Sequence, residues 1–318
     1  MCYSKGEKVK ERLIGEIIKD RRKELNIKQT DLCEGICESP TLSRIENNKQ
    51  NPTRNVLNAL LQRLGISDDR FYAAITVEEL RVNKLFNEIE CYNVKYEKSE
   101  DKEKENIRDI LQKKHEELMN LIEPDDILSR QFIIKSQVLI SEESNESKIT
   151  KLMDAIKMTH PSFELKDIQA GLYTFDEITL INQIAVVYSE LAESSQAIEI
   201  WEQLLRNIER RFNNIALAWT QKDLILYGLS REWLITGNHR KAKFYAEEGK
   251  TIAIDYGLYQ HLPGFIIILA ECEYNLDNLK SSEELFKEAY YLCRIIDDAA
   301  NVRIVKEALN NYFYLKIL

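Results

Sequence analysis

Residues 29–52 read QTDLCEGICESPTLSRIENNKQNP. The stretch predicts a short helix over Gln29 to Gly35, a tight turn at Ile36-Cys37-Glu38, and a second helix that opens on Ser39-Pro40. Ser39 suits the N-cap and Pro40 the first helical position, where a missing N–H and a fixed φ cost nothing. Leu42 and Ile45 then face a core, and Asn47 to Pro52 form a polar turn. Ser39, Pro40, Thr41, Ser43 and Arg44 are left on the outer face of the second helix. A helix can enter a major groove only if its first turn and one face are free of large apolar groups, so this pattern predicts a DNA-reading pair of helices.

Each polar side chain has a distinct expected part. Arg44 is able to make a bidentate contact with guanine, or else pairs with Glu46 or another acid. Ser39 and Thr41 are short enough for phosphate or base edges. Gln29, opening the first of the two helices, would present its side chain and backbone N–H groups to a phosphate. Lys28, Lys49 and Arg54 would add salt-dependent, sequence-independent affinity.

The flanks extend the pattern. Leu13 to Leu25 predicts a preceding helix with Leu13, Ile14, Ile17, Ile18 and Leu25 on one stripe and Lys19, Arg21, Arg22 and Lys23 mostly outside it. Gly15 permits close packing, and Asn26 suits the left-handed helix end. After Asn51-Pro52-Thr53, the residues Val56, Leu57, Leu60, Leu61 and Leu64 give a fourth helix ending at Gly65. A short fifth is expected near Asp68 to Ala74.

This order of residues resembles the XRE/Cro–C1 repressor domain, with Ser43-Arg44-Ile45-Glu46 as its strongest motif. In that family the exposed face of the second motif helix reads bases, which by position are met by Ser39, Pro40 and Arg44. Cys33 stands where Ala is usual, and Asn47-Asn48-Lys49 replaces a Gly-containing turn.

Charge divides the chain in the same place. Residues 1–66 carry 13 Lys/Arg against 9 Asp/Glu, a balance of +4, so with −9 overall the remainder holds −13. A basic head on an acidic body fits a DNA-binding unit joined to one that does not bind DNA. Gly and Pro are scarce, 10 and 5 in 318 residues, which favours long helices over turn-rich β structure. No apolar run approaches the ~20 residues of a membrane span, and no apolar segment follows the N-terminus, so a soluble cytoplasmic protein is expected. The six Cys are read as reduced thiols; Cys33 and Cys37 have no partners at ligand spacing, so no metal or other cofactor is expected. No glycine-rich phosphate loop, HExxH or nucleophile elbow is present, and the Glu142-Glu143 and Asp297-Asp298 pairs read as solvated faces. No catalytic residue is assigned.

The body, residues 76–318 after a linker over 66–78, reads as amphipathic helices, with the charged run Lys95 to Lys104 as a loop. From Thr174 they fall into pairs: Thr179–Leu191 with Ser195–Arg210, Ile215–Ile235 with Asn238–Tyr256, and Pro263–Tyr274 with Leu279–Ile296. A small residue (Ala197, Ala242, Ser282) follows each intervening turn, and Gly237-Asn238 recurs as Asp277-Asn278 forty residues on. The pairs loosely resemble tetratricopeptide repeats, which predicts an all-α chain: a five-helix head over 1–75 and an α-solenoid whose first helices line a concave wall.

A head and body of these kinds resemble the Rgg/PlcR/PrgX group, the RNPP regulators of Gram-positive bacteria. That resemblance implies a homodimeric transcription regulator on a palindromic operator, with a short signalling peptide bound in the repeat groove and no membrane partner. In that group Asn side chains on first helices grip the peptide backbone, since an amide both donates and accepts. Asn182 in LINQIAVVY matches such a position, whereas Gly228 stands at the next one. Gln183, Trp219, Lys222 and Tyr227 are further groove candidates, each with a core or surface alternative. The alternative function is a regulator whose body only dimerises or binds a protein partner.

Overall fold

The computed structural model describes residues 13–66, 77–123, 126–211 and 216–314. Every regular element among them is helical, and the chain divides into two compact units, Met1–Ala73 and Ala74–Leu318. The fifth head helix expected at 68–74 lies outside the described residues.

The head contains α1 (Ile14–Glu24), α2 (Gln29–Cys33), α3 (Ser39–Glu46) and α4 (Arg54–Arg63). Their apolar stripes meet in a core of Ile18, Leu32, Leu42, Ile45, Leu57, Leu60, Leu61 and Leu64. Leu13, expected on that stripe, is instead 60% exposed. Gly15 is where α1 meets the end of α3: an added Cβ would stand 2.0 Å from the Ile45 carbonyl oxygen. Asn26 and Asn48 take left-handed backbone (φ 54° and 55°), so the Asn47-Asn48-Lys49 turn is closed by Asn doing what Gly does elsewhere. The N-cap of α3 is Glu38 rather than Ser39, which moves Ser39 and Pro40 into the first turn. Thr53 caps α4 by accepting from the Val56 N–H.

The second unit is an array of hairpins: α5 (Val77–Lys98) with α6 (Asp101–Leu121), α7 (Ile127–Leu139) with α8 (Asn145–Lys157), and α9 (Phe175–Glu190) with α10 (Ser194–Arg211). Then come α11 (Ala216–Ile235) with α12 (His239–Tyr256), α13 (Leu262–Asn275) with α14 (Leu279–Ile295), and a final α15 (Ala299–Phe313). The charged run expected as a loop belongs almost wholly to α5 and α6; only Ser99 and Glu100 separate them. The high helix propensity of Glu and Lys outweighs their polarity here.

The repeat lies in the turns. Ala192, Gly237, Asp277 and Asp297 each take left-handed backbone two residues before a helix. The next N–H in each case reaches back five residues, as in Asn238 to the Trp233 carbonyl and Asn278 to the Glu273 carbonyl, which is the Schellman closure. Five residues after the left-handed position come Ala197, Ala242 and Ser282, all fully buried, and Ser282 Oγ donates to the Ala270 carbonyl of the facing helix at 2.8 Å. Asp298, read as solvated from its sequence, is a buried cap accepting from the Asn301 N–H and Nδ2 at 3.1 and 2.8 Å.

First helices touch first helices across hairpins: α5 to α7, α7 to α9, α9 to α11, α11 to α13 and α13 to α15. Helix α15 also touches α5, so this layer closes on itself. In a curved stack the layer whose members meet is the inner one. The stacking is weakest between α6 and α7, where a cleft of about 1240 Å3 opens between α6, α7 and α8. A buried chain spans this joint: His115 Nε2 contacts Ser136 Oγ at 2.8 Å, and Ser136 donates to Asn93 Oδ1 at 2.7 Å. Burial pushes the His115 imidazole down to about 4, so it is neutral near pH 7.

Candidate nucleic-acid interface and inner groove

Glu46, the last residue of α3, is 1% exposed. Its carboxylate accepts from Arg22 Nε at 2.5 Å and Nη2 at 2.8 Å, and from Gln29 Nε2 at 2.7 Å. Arg22 also donates through Nη1 to the Ile27 carbonyl at 2.9 Å. One carboxylate therefore ties α1, the start of α2 and the end of α3 together. Burial pushes the Glu46 carboxyl up, but the Arg22 and Gln29 hydrogen bonds outweigh it and hold the group below the usual range. Lys19 Nζ donates to Asn47 Oδ1 at 2.9 Å, a second tie from α1 to the same turn.

Two expectations change with this clamp. Arg22, placed outside by its helical phase, faces inward. The Gln29 side-chain N–H, assigned to a phosphate, is occupied by Glu46, and only the uncapped backbone N–H groups at the start of α2 remain for that part. Arg63 is a further cation, one assigned no part from the sequence: it is fully buried and donates through Nη1 to the Leu32 and Glu34 carbonyls at 3.1 and 2.6 Å, covering the end of α2.

Because Glu46 is committed, Arg44 has no acid to pair with. It is exposed and has no hydrogen-bond or ion-pair partner among the described residues. Pro40 is exposed beside it, with Thr41 and Ser43 half-buried on the same helix. Lys28 and Lys49 are exposed and unpaired, while Arg54 is half-buried and engaged within the protein. Cys33 and Cys37 are free thiols in the α2–α3 turn, and burial pushes Cys37 up to about 11, which makes it a packing group rather than a ready nucleophile. Among the described residues no group of His, Cys, Asp and Glu has the makings of a metal site.

The profile of the helix-turn-helix family matches residues 18–71. The head is a helix-turn-helix domain. Its α2 and α3 are the two motif helices, and the free side chains Pro40 and Arg44 stand on the outer face of the second.

In the second unit the groove candidates separate by direction. Asn182 is 5% exposed and its Oδ1 accepts from Trp201 Nε1 of α10 at 2.7 Å. It is a packing amide between the two helices of its hairpin, not a groove residue. Gly228, at the matching place on α11, serves the same indole: an added Cβ would stand 2.4 Å from the Trp201 ring. Trp219 stacks on Tyr256 of α12 with centroids 4.5 Å apart. Lys222 bridges Glu209 of α10 and Glu248 of α12 at 3.0 and 2.5 Å. These three therefore face second helices.

Gln183 and Tyr227 face the inner layer. Gln183 Nε2 donates to the Lys135 carbonyl of α7 at 3.1 Å. Tyr227 stacks on His261, just before α13, with centroids 5.0 Å apart and 17° between the rings. Other inner-layer links escaped the sequence reading, because they join residues 40 or more positions apart: Lys135 to Glu90 of α5 and Asp176 of α9 at 3.0 and 3.5 Å, and Thr179 to Gln221 of α11 at 3.4 Å.

No curated protein sequence matches the chain. Solved structures do. PlcR of Bacillus thuringiensis in complex with the peptide PapR7 and DNA superposes with a TM-score of 0.59 at 17% identity, covering 92% of this chain and 98% of that one. The apo form of the competence regulator ComR from Streptococcus vestibularis gives 0.54 at 15% identity, covering 94% and 98%. ComR in complex with its signalling peptide XIP gives 0.53 at 13% identity, covering 94% and 97%. The helix-turn-helix domain and the hairpin array thus have the fold of these proteins along nearly their whole length.

Proposed function

We propose that this protein is a sequence-specific DNA-binding transcription regulator, that its hairpin array binds a short signalling peptide against the inner helix layer, and that the peptide sets its affinity for DNA. The observation that carries the DNA half is Arg44: an exposed, unpaired guanidinium on a helix whose position is fixed by the buried Arg22–Glu46–Gln29 clamp. Such a group can form a bidentate pair with guanine without first breaking a contact of its own. The peptide half is supported by the inward-facing polar side chains of α5, α7, α9 and α11, and by a fold shared with PlcR in complex with PapR7 and ComR in complex with XIP.

A single helix of this kind reads three or four bases, too few to address one site in a genome. Two copies at a fixed spacing read a palindrome, so a homodimer acting in the cytoplasm, where DNA is, completes the reading. The acidic body gives no reason for DNA to touch it.

The test starts with sites selected from random duplex DNA by the full-length protein, followed by binding at fixed salt. Synthetic peptides encoded by short reading frames beside the gene are then added. The expected result is a palindromic consensus and a change in DNA affinity with one of the peptides. Absence of a consensus overturns the DNA reading. A consensus that no peptide alters, together with no peptide-induced rise in Tm, favours a body that only dimerises.

A further inference from the structure

The cleft between α6, α7 and α8 has no part in the DNA-reading helix or in the peptide groove. Elsewhere each second helix packs along the first helix of the next hairpin: α8 on α9, α10 on α11, α12 on α13 and α14 on α15. Helix α6 stands off α7 instead, and about 1240 Å3 opens there, walled by the second helices α6 and α8. The stripe of α6 that lines it runs from Arg108 to Asn120, ~18 Å at ~1.5 Å per residue. A helix of about three turns matches that length and, at ~10 Å across, that volume.

The lining changes character along its length. At one end, where α7 turns into α8, Arg108 Nη1 pairs with Glu142 at 2.5 Å and Lys151 pairs with Glu143, so both basic residues of the lining are neutralised. At the other end lie Ile134, Met158 and Met119, the last 43% exposed. Methionine adapts its shape to whatever apolar surface meets it. Between the ends, Glu116 of α6 and Asp154 of α8 are exposed on opposite walls and have no ion pair among the described residues. Lys113 and Lys157, one turn away on the same helices, neither line the cleft nor pair with them. His115, 2% exposed, lines the same stretch. Ser136 commits its proton to Asn93, so His115 Nε2 is the donor to Ser136, and His115 Nδ1 is left an acceptor without a partner. Unpaired acceptors beside an apolar end suit a helix with an apolar stripe flanked by Lys or Arg, whereas an acidic helix would meet Glu116 and Asp154 with like charge.

We propose that this cleft is a docking site for a basic amphipathic helix of a partner protein, with Met119, Met158 and Ile134 receiving its apolar stripe and Glu116 and Asp154 its Lys or Arg side chains. The site is independent of the signalling peptide, whose reading stands whichever way this one falls. To test it, two fluorescein-labelled synthetic helices of about four turns are made with the same Leu and Met stripe and with either Lys or Glu on the polar face. Their binding to the full-length protein is read by anisotropy at fixed salt. The Lys helix should bind about tenfold more tightly than the Glu helix. Glu116→Lys with Asp154→Lys, checked for a wild-type melt, should turn the preference toward the Glu helix. Glu284→Lys with Glu288→Lys, the same charge change on α14, should leave it within about twofold of wild type. Gln137→Trp, also checked by its melt, puts an indole on the exposed floor of the cleft and should weaken the Lys helix about tenfold. No binding of the Lys helix, a preference that survives the reversal at Glu116 and Asp154, or one lost equally in the α14 variant overturns the docking site. A change of oligomeric state on gel filtration with Gln137→Trp assigns the cleft to a second copy of this chain and overturns the partner.

Discussion

The outer face of α3 and the inner layer of the hairpin array are both helical surfaces, yet they are specified in different ways. In the head, six residues fix the matter. Leu42 and Ile45 bury one side of α3, Glu46 is clamped by Arg22 and Gln29, and Arg44 is left outside with nothing to bind. In the array, Asn182 and Gln183 are adjacent on one helix and face different neighbours, α10 and α7. A helix packed on several sides has no outer face that its own sequence can announce. A motif therefore locates a surface only when the helix that carries it has one buried side.

The largest expected effect tests the clamp. Arg22→Met leaves the Glu46 carboxylate buried without its cation, and removing one partner of a buried pair costs ~3–5 kcal/mol. That is a large share of the stability of a small domain, so the head should unfold at room temperature and DNA binding should vanish. Thermal melts read this directly, and adding Glu46→Leu should restore most of the loss. A wild-type melt for Arg22→Met would mean that α3 is held by its apolar contacts alone.

In the array the corresponding break is Gly228→Ala. Its Cβ would meet the Trp201 ring at 2.4 Å, and overpacking of this kind costs ~1–3 kcal/mol. The second unit should melt lower while the head is unchanged. Equal melting would show that Trp201 shifts at little cost.

Arg44→Ala should leave both melts alone and remove ~1–3 kcal/mol of discrimination at one base pair. The check is binding to the selected site and to its single-base variants; undiminished discrimination would remove α3 from the major groove. Smaller still, Lys28→Ala and Lys49→Ala should weaken all DNA sequences alike and lower the salt slope by ~1 each.

Acid separates the regions again. Glu46 binds its proton more weakly folded than unfolded, so its contribution is fully present above the ordinary Glu value of about 4.3 and is lost as pH falls below it. His115 is held down to about 4, so the joint of α5, α6 and α7 should lose stability as pH falls from about 6.5 to about 4, a higher window than that of Glu46. Above about pH 6.5, the ordinary His value, neither group predicts a change in stability. Melts across pH 3 to 8 check both, and a loss of the head near neutral pH would contradict the Glu46 assignment.

Much of the fold was legible because it is local. Apolar spacing gave the helices, and Asn26, Gly35, Gly65 and Gly237 marked helix ends that do take left-handed backbone. The alignment of Gly237-Asn238 with Asp277-Asn278 picked out a real repeated turn. Arg22 and Arg63 were missed because a buried arginine looks like any other in a sequence; only the carboxylate and the carbonyls that receive it, 24 to 31 residues away, distinguish it. Helix α15 was not anticipated either, and with it the closure of the inner layer onto α5.

By itself, then, the sequence determined most of the helices, several of their ends and the segment that forms the helix-turn-helix motif, since each depends on contacts within a few turns of one segment. The tertiary structure alone decided which cations are surface and which are struts, and that Asn182 packs against Trp201 while Tyr227 turns inward. Those outcomes depend on what residues distant in the chain bring to the same place, and no local pattern records that.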